Sequence, residues 1–294
     1  MKIMTTNENT SLDDLKDLYN REITNLLDKK QSILHQAMHY SIDSKGKRLR
    51  PLITLTVGLT YQADIQKLLP AAIAIELMHT FSLIHDDLPC MDDDDLRRGK
   101  PTTHKKFNEP TAVLAGDALQ TLAFETLANS QLNDKIKIKL ISCLAKSSGA
   151  EGMALGQTLD MQAEINNTNK DQIFNIHQHK TGALIGASFA FGHIIANCQH
   201  TEAQKLNQLG KTIGLAFQIQ DDILELQNST ETLGKDASSD LKSNKATFPS
   251  VLGMQESLNI LKNLQSTSDN IIESLSSDTT LLRRLITCII NRKQ

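Results

Sequence analysis

Between Asp86 and Asp95 the chain gathers six carboxylates within ten residues, in the order Asp86, Asp87, Leu88, Pro89, Cys90, Met91 and then Asp92 to Asp95. Two like charges about 4 Å apart repel by about 1 kcal/mol in water and about 4 kcal/mol at an effective dielectric near 20. This run follows a strongly apolar stretch, so a cation is expected to compensate it. On an unbroken helix Asp86 and Asp92 would lie about 240° apart. Pro89 excludes an undisturbed helix there, and a bulged exit can bring both carboxylates to one point. A second acidic group, Asp221, Asp222 and Glu225, sits in the apolar stretch Gly214 to Leu226, with Asp221 and Glu225 four residues apart on one helix face.

Basic residues follow each cluster: Arg97, Arg98 and Lys100 after the first, Lys235 and Lys245 after the second. Oxygen ligands without His or Cys favour Mg²⁺ or a similar hard cation, which keeps several waters and substrate phosphates in its shell. Arg and Lys among the acids suit phosphate oxygens. Acid, metal and base together describe a diphosphate site. Competing motifs fail. An EF-hand starting at Asp92 needs Gly where Arg97 stands and Glu where Thr103 stands. The Gly210-Lys211-Thr212 tripeptide lacks the first glycine of a P-loop, since Lys205 occupies that place.

The elements that must position these residues are helices. Apolar residues recur at helical spacing almost throughout, aromatics are 4% and Trp is absent. About ten helices are expected. Ser11 with Asp14 reads as a capping box, and Asn108 with Pro110 as another helix start; Pro51 and Pro70 are expected to open two more. Breaks are expected at 44–50, 92–108, 165–170, 228–244 and 266–268. No linker divides the 294 residues, so a single all-α domain over 1–294 is expected. The run from Gly182 to Gly192 is studded with small residues that let helices approach closely. A net charge of −3 excludes a dedicated nucleic-acid binder. Cys90, Cys143, Cys198 and Cys288 form no CxxC pair and read as reduced cytosolic thiols. The polar N-terminus has no signal-peptide character, and the runs 68–84 and 181–196 read as buried helices rather than spans. A cytoplasmic protein is expected.

At these residues the chain resembles the short-chain trans-polyprenyl diphosphate synthases, and among them the bacterial farnesyl diphosphate synthases. Seven elements carry the resemblance in order, from about Gly46 onward: Gly46-Lys47-Arg48-Leu49-Arg50-Pro51, His79, the segment Asp86 to Gly99, Gly152 to Asp160, His179-Lys180-Thr181-Gly182, Gly214 to Glu225, and Lys245-Ala246-Thr247-Phe248-Pro249. Departures are Lys45 for a glycine, Glu225 for the last aspartate of the second motif, and Asn244 where glycine is common.

The resemblance implies an isoprenoid synthase fold, a helical bundle around a central cavity. It implies a prenyltransferase that condenses isopentenyl diphosphate with dimethylallyl or geranyl diphosphate to give farnesyl diphosphate, with several Mg²⁺ ions. Lys47, Arg50, His79 and Arg98 would hold isopentenyl diphosphate. Asp86 and Asp92 would bind metal from one wall and Asp221 from the other. Arg97, Lys180 and Lys235 would contact the allylic diphosphate, with Lys245 a weaker candidate; Thr181, Gln218 and the Lys180 carbonyl would flank the cationic carbon chain. Phe81, five residues before Asp86 and about 7.5 Å along a helix, would stop chain growth at fifteen carbons. A homodimer is implied. The alternatives are a geranyl or geranylgeranyl diphosphate synthase, and a non-catalytic subunit of the same family. A terpene cyclase, with one such acidic motif and no Lys47/Arg50 pair, fits less well.

Overall fold

The computed structural model describes residues 10–27, 32–43, 46–165, 168–232 and 246–292, the side chains of 164 and 228–232 excepted. The fold is all-α. It forms two compact units, residues 1–142 with 191–197, and residues 143–190 with 198–294.

In the first unit, α1 (Leu12–Leu27), α2 (Ile33–Ile42), α3 (Leu49–Thr60), α4 (Ile65–Asp86) and α6 (Glu109–Ala128) carry the core, with the one-turn α5 (Thr103–Lys106) and α7 (Asp134–Ser148), whose residues from Cys143 on belong to the second unit. Helix α1 starts where Ser11 and Asp14 cap each other: Ser11 N–H donates to Asp14 Oδ2 (3.0 Å) and Asp14 N–H to Ser11 Oγ (3.2 Å). Asn108 likewise caps α6 by accepting from Thr111 N–H (2.8 Å), with Pro110 in the first turn. Helix α4 packs on α3 and α6. Its apolar residues surround it, as a core helix requires, and Leu68, Ala71, Ala72, Ile75, Leu77 and Met78 are all inaccessible. Each large side chain so buried contributes about 1.5–3 kcal/mol. It is also the one described helix long and apolar enough to cross a membrane, and most of its apolar window is buried. Gly58 of α3 leaves the space that Leu68 fills.

Pro70, expected to open a helix, lies inside α4; the helix begins at Ile65, where Asp64 caps it by accepting from Gln66 N–H (2.9 Å). Pro70, in the second turn, forgoes the i−4 bond to the Gln66 carbonyl, and the burial of α4 on both sides of it carries the helix through. The stretch 92–108 holds an element that apolar spacing does not reveal. Leu96–Arg97 pairs antiparallel with Lys100–Pro101, forming strands β1 and β2. The two turn residues, Arg98 (φ 54°) and Gly99 (φ 75°), are both left-handed, as a tight two-residue hairpin requires.

The second unit contains α8 (Met153–Ile165), α9 (Lys170–His177), a π-helical turn (Gln178–Gly182), α10 (Ala183–Ile195), whose last turn belongs to the first unit, α11 (His200–Thr232), α12 (Phe248–Leu252), α13 (Met254–Glu273) and α14 (Thr280–Ile290). Small residues of the π-helical turn and α10 meet those of α11 backbone to backbone. A Cβ on Gly214 would sit 2.8 Å from the Gly182 Cα, and one on Gly210 3.2 Å from the Gly186 Cα. The expected break at 266–268 is absent. Helix α13 runs through it, because Ser268 turns its hydroxyl back onto the Leu264 carbonyl (2.8 Å) and needs no other partner.

Candidate functional site

The first acidic motif closes α4. Asp86 is the last helical residue, and after Pro89 the chain curls back so that Asp92 N–H donates to the Asp86 carbonyl (2.9 Å). Met91 and Asp93 N–H both donate to the Leu88 carbonyl (2.8 and 3.1 Å), and Asp93 takes a left-handed conformation to complete the curl. The bulged exit therefore brings the backbones of Asp86 and Asp92 together, both residues partly exposed. Asp87 points the other way. It is 2% exposed and accepts from Arg97 Nε (2.6 Å), while Arg97 also reaches Asp94 (3.4 Å). Burial pushes the Asp87 carboxyl up, and the Arg97 hydrogen bond and charge oppose it.

The hairpin explains this arrangement: β1 delivers Arg97 to Asp87, and the left-handed turn carries Arg98 to Gly46. A Cβ on Gly46 would lie 2.5 Å from the Arg98 guanidinium, so this glycine makes room for it. His79 of α4 stands among the arginines. Desolvation, and then the charges of Arg50, Arg98, Arg97 and Arg48, hold its imidazole well below the usual histidine range, so it is neutral at pH 7. Arg48, in a left-handed conformation, ion-pairs with buried Glu76 (3.1 Å). Arg48 and Arg97 are paired with Glu76 and Asp87, and Arg50 and Arg98 bring two further guanidinium groups to the same neutral ring, a set of donors that suits an anion with several oxygens. Lys47 is exposed beside them in sequence. Phe81 packs its ring edge-on to His85, centroids 4.8 Å apart.

In the second unit the π-helical turn presents Lys180 and Thr181. A π-turn often marks a functional position in a helix. Gly156 of α8 permits it, since any Cβ there would collide with the Lys180 backbone. Lys180 Nζ donates to Asp160 Oδ2 (2.6 Å), and Asp160 is buried. Thr181 Oγ1 donates to Gln218 Oε1 (2.6 Å), Gln218 Nε2 donates to Asp222 Oδ1 (2.8 Å), and Phe248 N–H donates to Asp222 Oδ2 (2.8 Å). Asp222 is 4% exposed. Burial pushes it up to about 7, against the pull of the Phe248 and Gln218 donors. His177 Nε2 lies 4.0 Å from Asp222 Oδ2, and burial lowers this histidine to about 4.

Asp221 remains partly exposed and pairs with Arg292 (2.6 Å). The Arg292 guanidinium also donates to the Phe217 carbonyl (2.8 Å) and stacks over the Phe217 ring at 3.8 Å. Glu225 is exposed. Lys235 and Lys245 lie outside the described residues, as do Lys45 and Asn244.

Sequence reasoning missed Arg292 and the anchoring of Asp222. No motif signals Arg292. The second had a signal: Gln218 and Asp222 are four apart and share a helix face, whereas Asp221 is turned about 100° from Asp222. Among the described residues no three acidic, histidine or cysteine side chains gather closely enough to form a metal cage. The paired Asp86 and Asp92 instead offer hard oxygens from one curl of chain. That donor set suits Mg²⁺ sharing its shell with substrate phosphate and water.

The sequence pattern of the polyprenyl synthetase family matches residues 31–283. The chain belongs to this family. As a polyprenyl synthetase it is 44% identical to the farnesyl diphosphate synthase of Micrococcus luteus, over 96% of this chain and 97% of that protein. It is 41% identical to the large subunit of a heterodimeric chloroplast geranylgeranyl pyrophosphate synthase of Arabidopsis thaliana, over 83% of this chain and 68% of that one. The Helicobacter pylori geranyltransferase, solved in complex with magnesium and isoprenyl diphosphate, superposes with a TM-score of 0.81 at 34% identity, covering 98% of each chain.

Proposed function

We propose that this polyprenyl synthetase condenses isopentenyl diphosphate with dimethylallyl or geranyl diphosphate to make farnesyl diphosphate. The supporting observation is the pairing, within one unit, of the Asp86/Asp92 curl with the arginines around neutral His79. One offers oxygens to divalent metal, the other offers cationic donors to diphosphate. Likeness to farnesyl diphosphate synthases over nearly the whole chain points the same way.

In this reading Asp86, Asp92 and Asp221 hold Mg²⁺, which supplies positive charge at the departing diphosphate when bound. Arg97, Lys180 and Lys235 bind the allylic diphosphate, and Lys47, Arg50, His79 and Arg98 bind isopentenyl diphosphate. Ionisation of the allylic substrate needs no protein nucleophile. It needs preorganised charge at the leaving group and oriented oxygens at the carbocation. Thr181, Gln218 and the Lys180 carbonyl provide the latter. A neutral His79 keeps an N–H available without adding a further charge to the arginines. Phe81 blocks elongation beyond fifteen carbons. A homodimer, a cytoplasmic location and the working of 1–294 as one synthase domain belong to this reading as implications of the family resemblance.

The test is product analysis from labelled isopentenyl diphosphate with each allylic starter, with and without Mg²⁺. A fifteen-carbon product that requires Mg²⁺ is expected. A mainly twenty-carbon product would transfer the assignment to geranylgeranyl diphosphate synthesis, the reading that the Arabidopsis relative favours. No product from any starter would overturn the enzymatic reading and leave a non-catalytic subunit.

A further inference from the structure

Gln218 is a primary amide, and its two ends are nearly the same size. Which end faces Thr181 is therefore decided by hydrogen bonding rather than by shape. Asp222 lies four residues on, on the same face of α11, with both carboxylate oxygens engaged: Oδ1 by Gln218 Nε2 at 2.8 Å and Oδ2 by Phe248 N–H at 2.8 Å. With Phe248 N–H already donating to Oδ2, Oδ1 is the acceptor that meets the NH₂ end of Gln218. Gln218 Oε1 is left to face Thr181, whose hydroxyl donates to it at 2.6 Å. Asp222 is 4% exposed and spent on these contacts, unlike its partly exposed neighbour Asp221.

We propose that Asp222 is a positioning residue rather than a metal ligand: by accepting from Gln218 Nε2 it fixes the amide so that oxygen, not NH₂, is presented beside Thr181 to the developing carbocation. The proposal rests on the function inferred above. Its physical content is a sign. An amide oxygen carries partial negative charge and stabilises an adjacent cation, whereas a flipped amide presents two positive hydrogens to the same position. Nothing else in the Thr181–Gln218–Asp222 chain enforces the choice, because the threonine hydroxyl can donate or accept.

The test is a polarity swap. In Asp222→Asn the new NH₂ group faces Gln218 Nε2, and Gln218 flips to offer its oxygen there, turning NH₂ towards Thr181. In the double variant Asp222→Asn with Gln218→Glu, the asparagine NH₂ donates to one glutamate oxygen and its Oδ1 still accepts from Phe248 N–H. The other glutamate oxygen again accepts from Thr181. Net charge and hydrogen-bond count are unchanged, so the double variant should melt near the wild-type temperature.

The expected result has three parts. Asp222→Asn lowers kcat at least about tenfold, in proportion to one misdirected dipole, with the KM for isopentenyl diphosphate within about twofold. The swap recovers most of that loss. Mg²⁺-dependent binding of inorganic pyrophosphate, followed by calorimetry, changes less than about twofold in Asp222→Asn but weakens at least about tenfold in Asp221→Asn. If Asp222→Asn weakens Mg²⁺·pyrophosphate as Asp221→Asn does, Asp222 is a ligand and the proposal falls. A swap that is no more active than Asp222→Asn, or that does not fold, also overturns it. If Asp222→Asn alone fails to fold while the swap folds and turns over, the required polarity is upheld. A wild-type chain that condenses nothing refutes the proposed function instead, a result read before any variant is made.

Discussion

Both acidic motifs begin with adjacent aspartates, and in both the first stays partly exposed while the second is buried. The surroundings of the buried member differ. Asp87 faces a guanidinium, with Arg97 Nε at 2.6 Å. Among the described residues, Asp222 accepts from neutral donors, the Gln218 amide and the Phe248 N–H. Burial raises both carboxyl groups, and Asp222, with no cationic partner among the described residues, reaches about 7. A buried charge needs compensation, and a formal charge and a pair of dipoles provide it with different consequences. The Asp87 pair ties a surface hairpin to the end of α4. The Asp222 contacts join α11, α12 and the π-helical turn, where they orient an amide.

The largest test of this comparison concerns the exposed members. Asp86→Asn and Asp221→Asn should each lower kcat about a thousandfold or more if both hold metal against the leaving group. Steady-state rates across a Mg²⁺ titration check this, and a variant within tenfold of wild type would remove its motif from the metal-holding set. The next concerns the buried members. Arg97→Ala leaves Asp87 as an uncompensated buried charge and should destabilise the protein by about 3–5 kcal/mol. Gln218→Ala removes one neutral donor from Asp222 and should cost about 1–3 kcal/mol. Urea unfolding measures both, and equal losses would erase the distinction drawn between charge and dipole.

A third prediction isolates His177. Its folded pKa of about 4 lies below the ordinary 6.5, so as pH falls below 6.5 the unfolded chain takes up the proton first and stability is lost until about pH 4. That displacement amounts to roughly 3 kcal/mol. Asp222 is raised and works in the opposite direction over the same range, in wild type and variant alike. His177→Leu should therefore gain stability relative to wild type as pH falls from 7 towards 4. Parallel thermal melts at pH 7.5 and 5 would show it, and a constant difference would reject it. The smallest effect expected on rate comes from Phe81→Ala, which should shift products towards twenty carbons with little change in turnover. An unchanged product profile would remove Phe81 as the stop.

Much of this was legible before any coordinates. Helical spacing and the lack of alternating segments identified the fold class, and local capping at Ser11 and Asn108 is written within four residues of sequence. Pro89 announced that the helix carrying Asp86 must break and made the meeting of Asp86 with Asp92 foreseeable. The hairpin at 96–101 was not read, because each strand is two residues long and too short for periodicity to register. The start of α4 was misplaced because tertiary burial carries the helix through Pro70 at the cost of one intrahelical bond, which local sequence rules do not foresee. The break assigned at 266–268 failed because serine hydroxyls can bond back to the helix and stay within it.

The amino-acid order alone determined residue types and local spacing: hard oxygen donors in two clusters, cationic donors after each, and helices to carry them. These follow from interactions reaching a few residues along the chain. Only the tertiary structure decided which aspartate of each pair turns inward, that Arg97 rather than solvent meets Asp87, and that Arg292 arrives at Asp221 from 71 positions away. The reason is that burial and pairing depend on neighbours supplied by distant segments. A carboxylate's role is set by the donors that fold against it, and its own identity does not encode them.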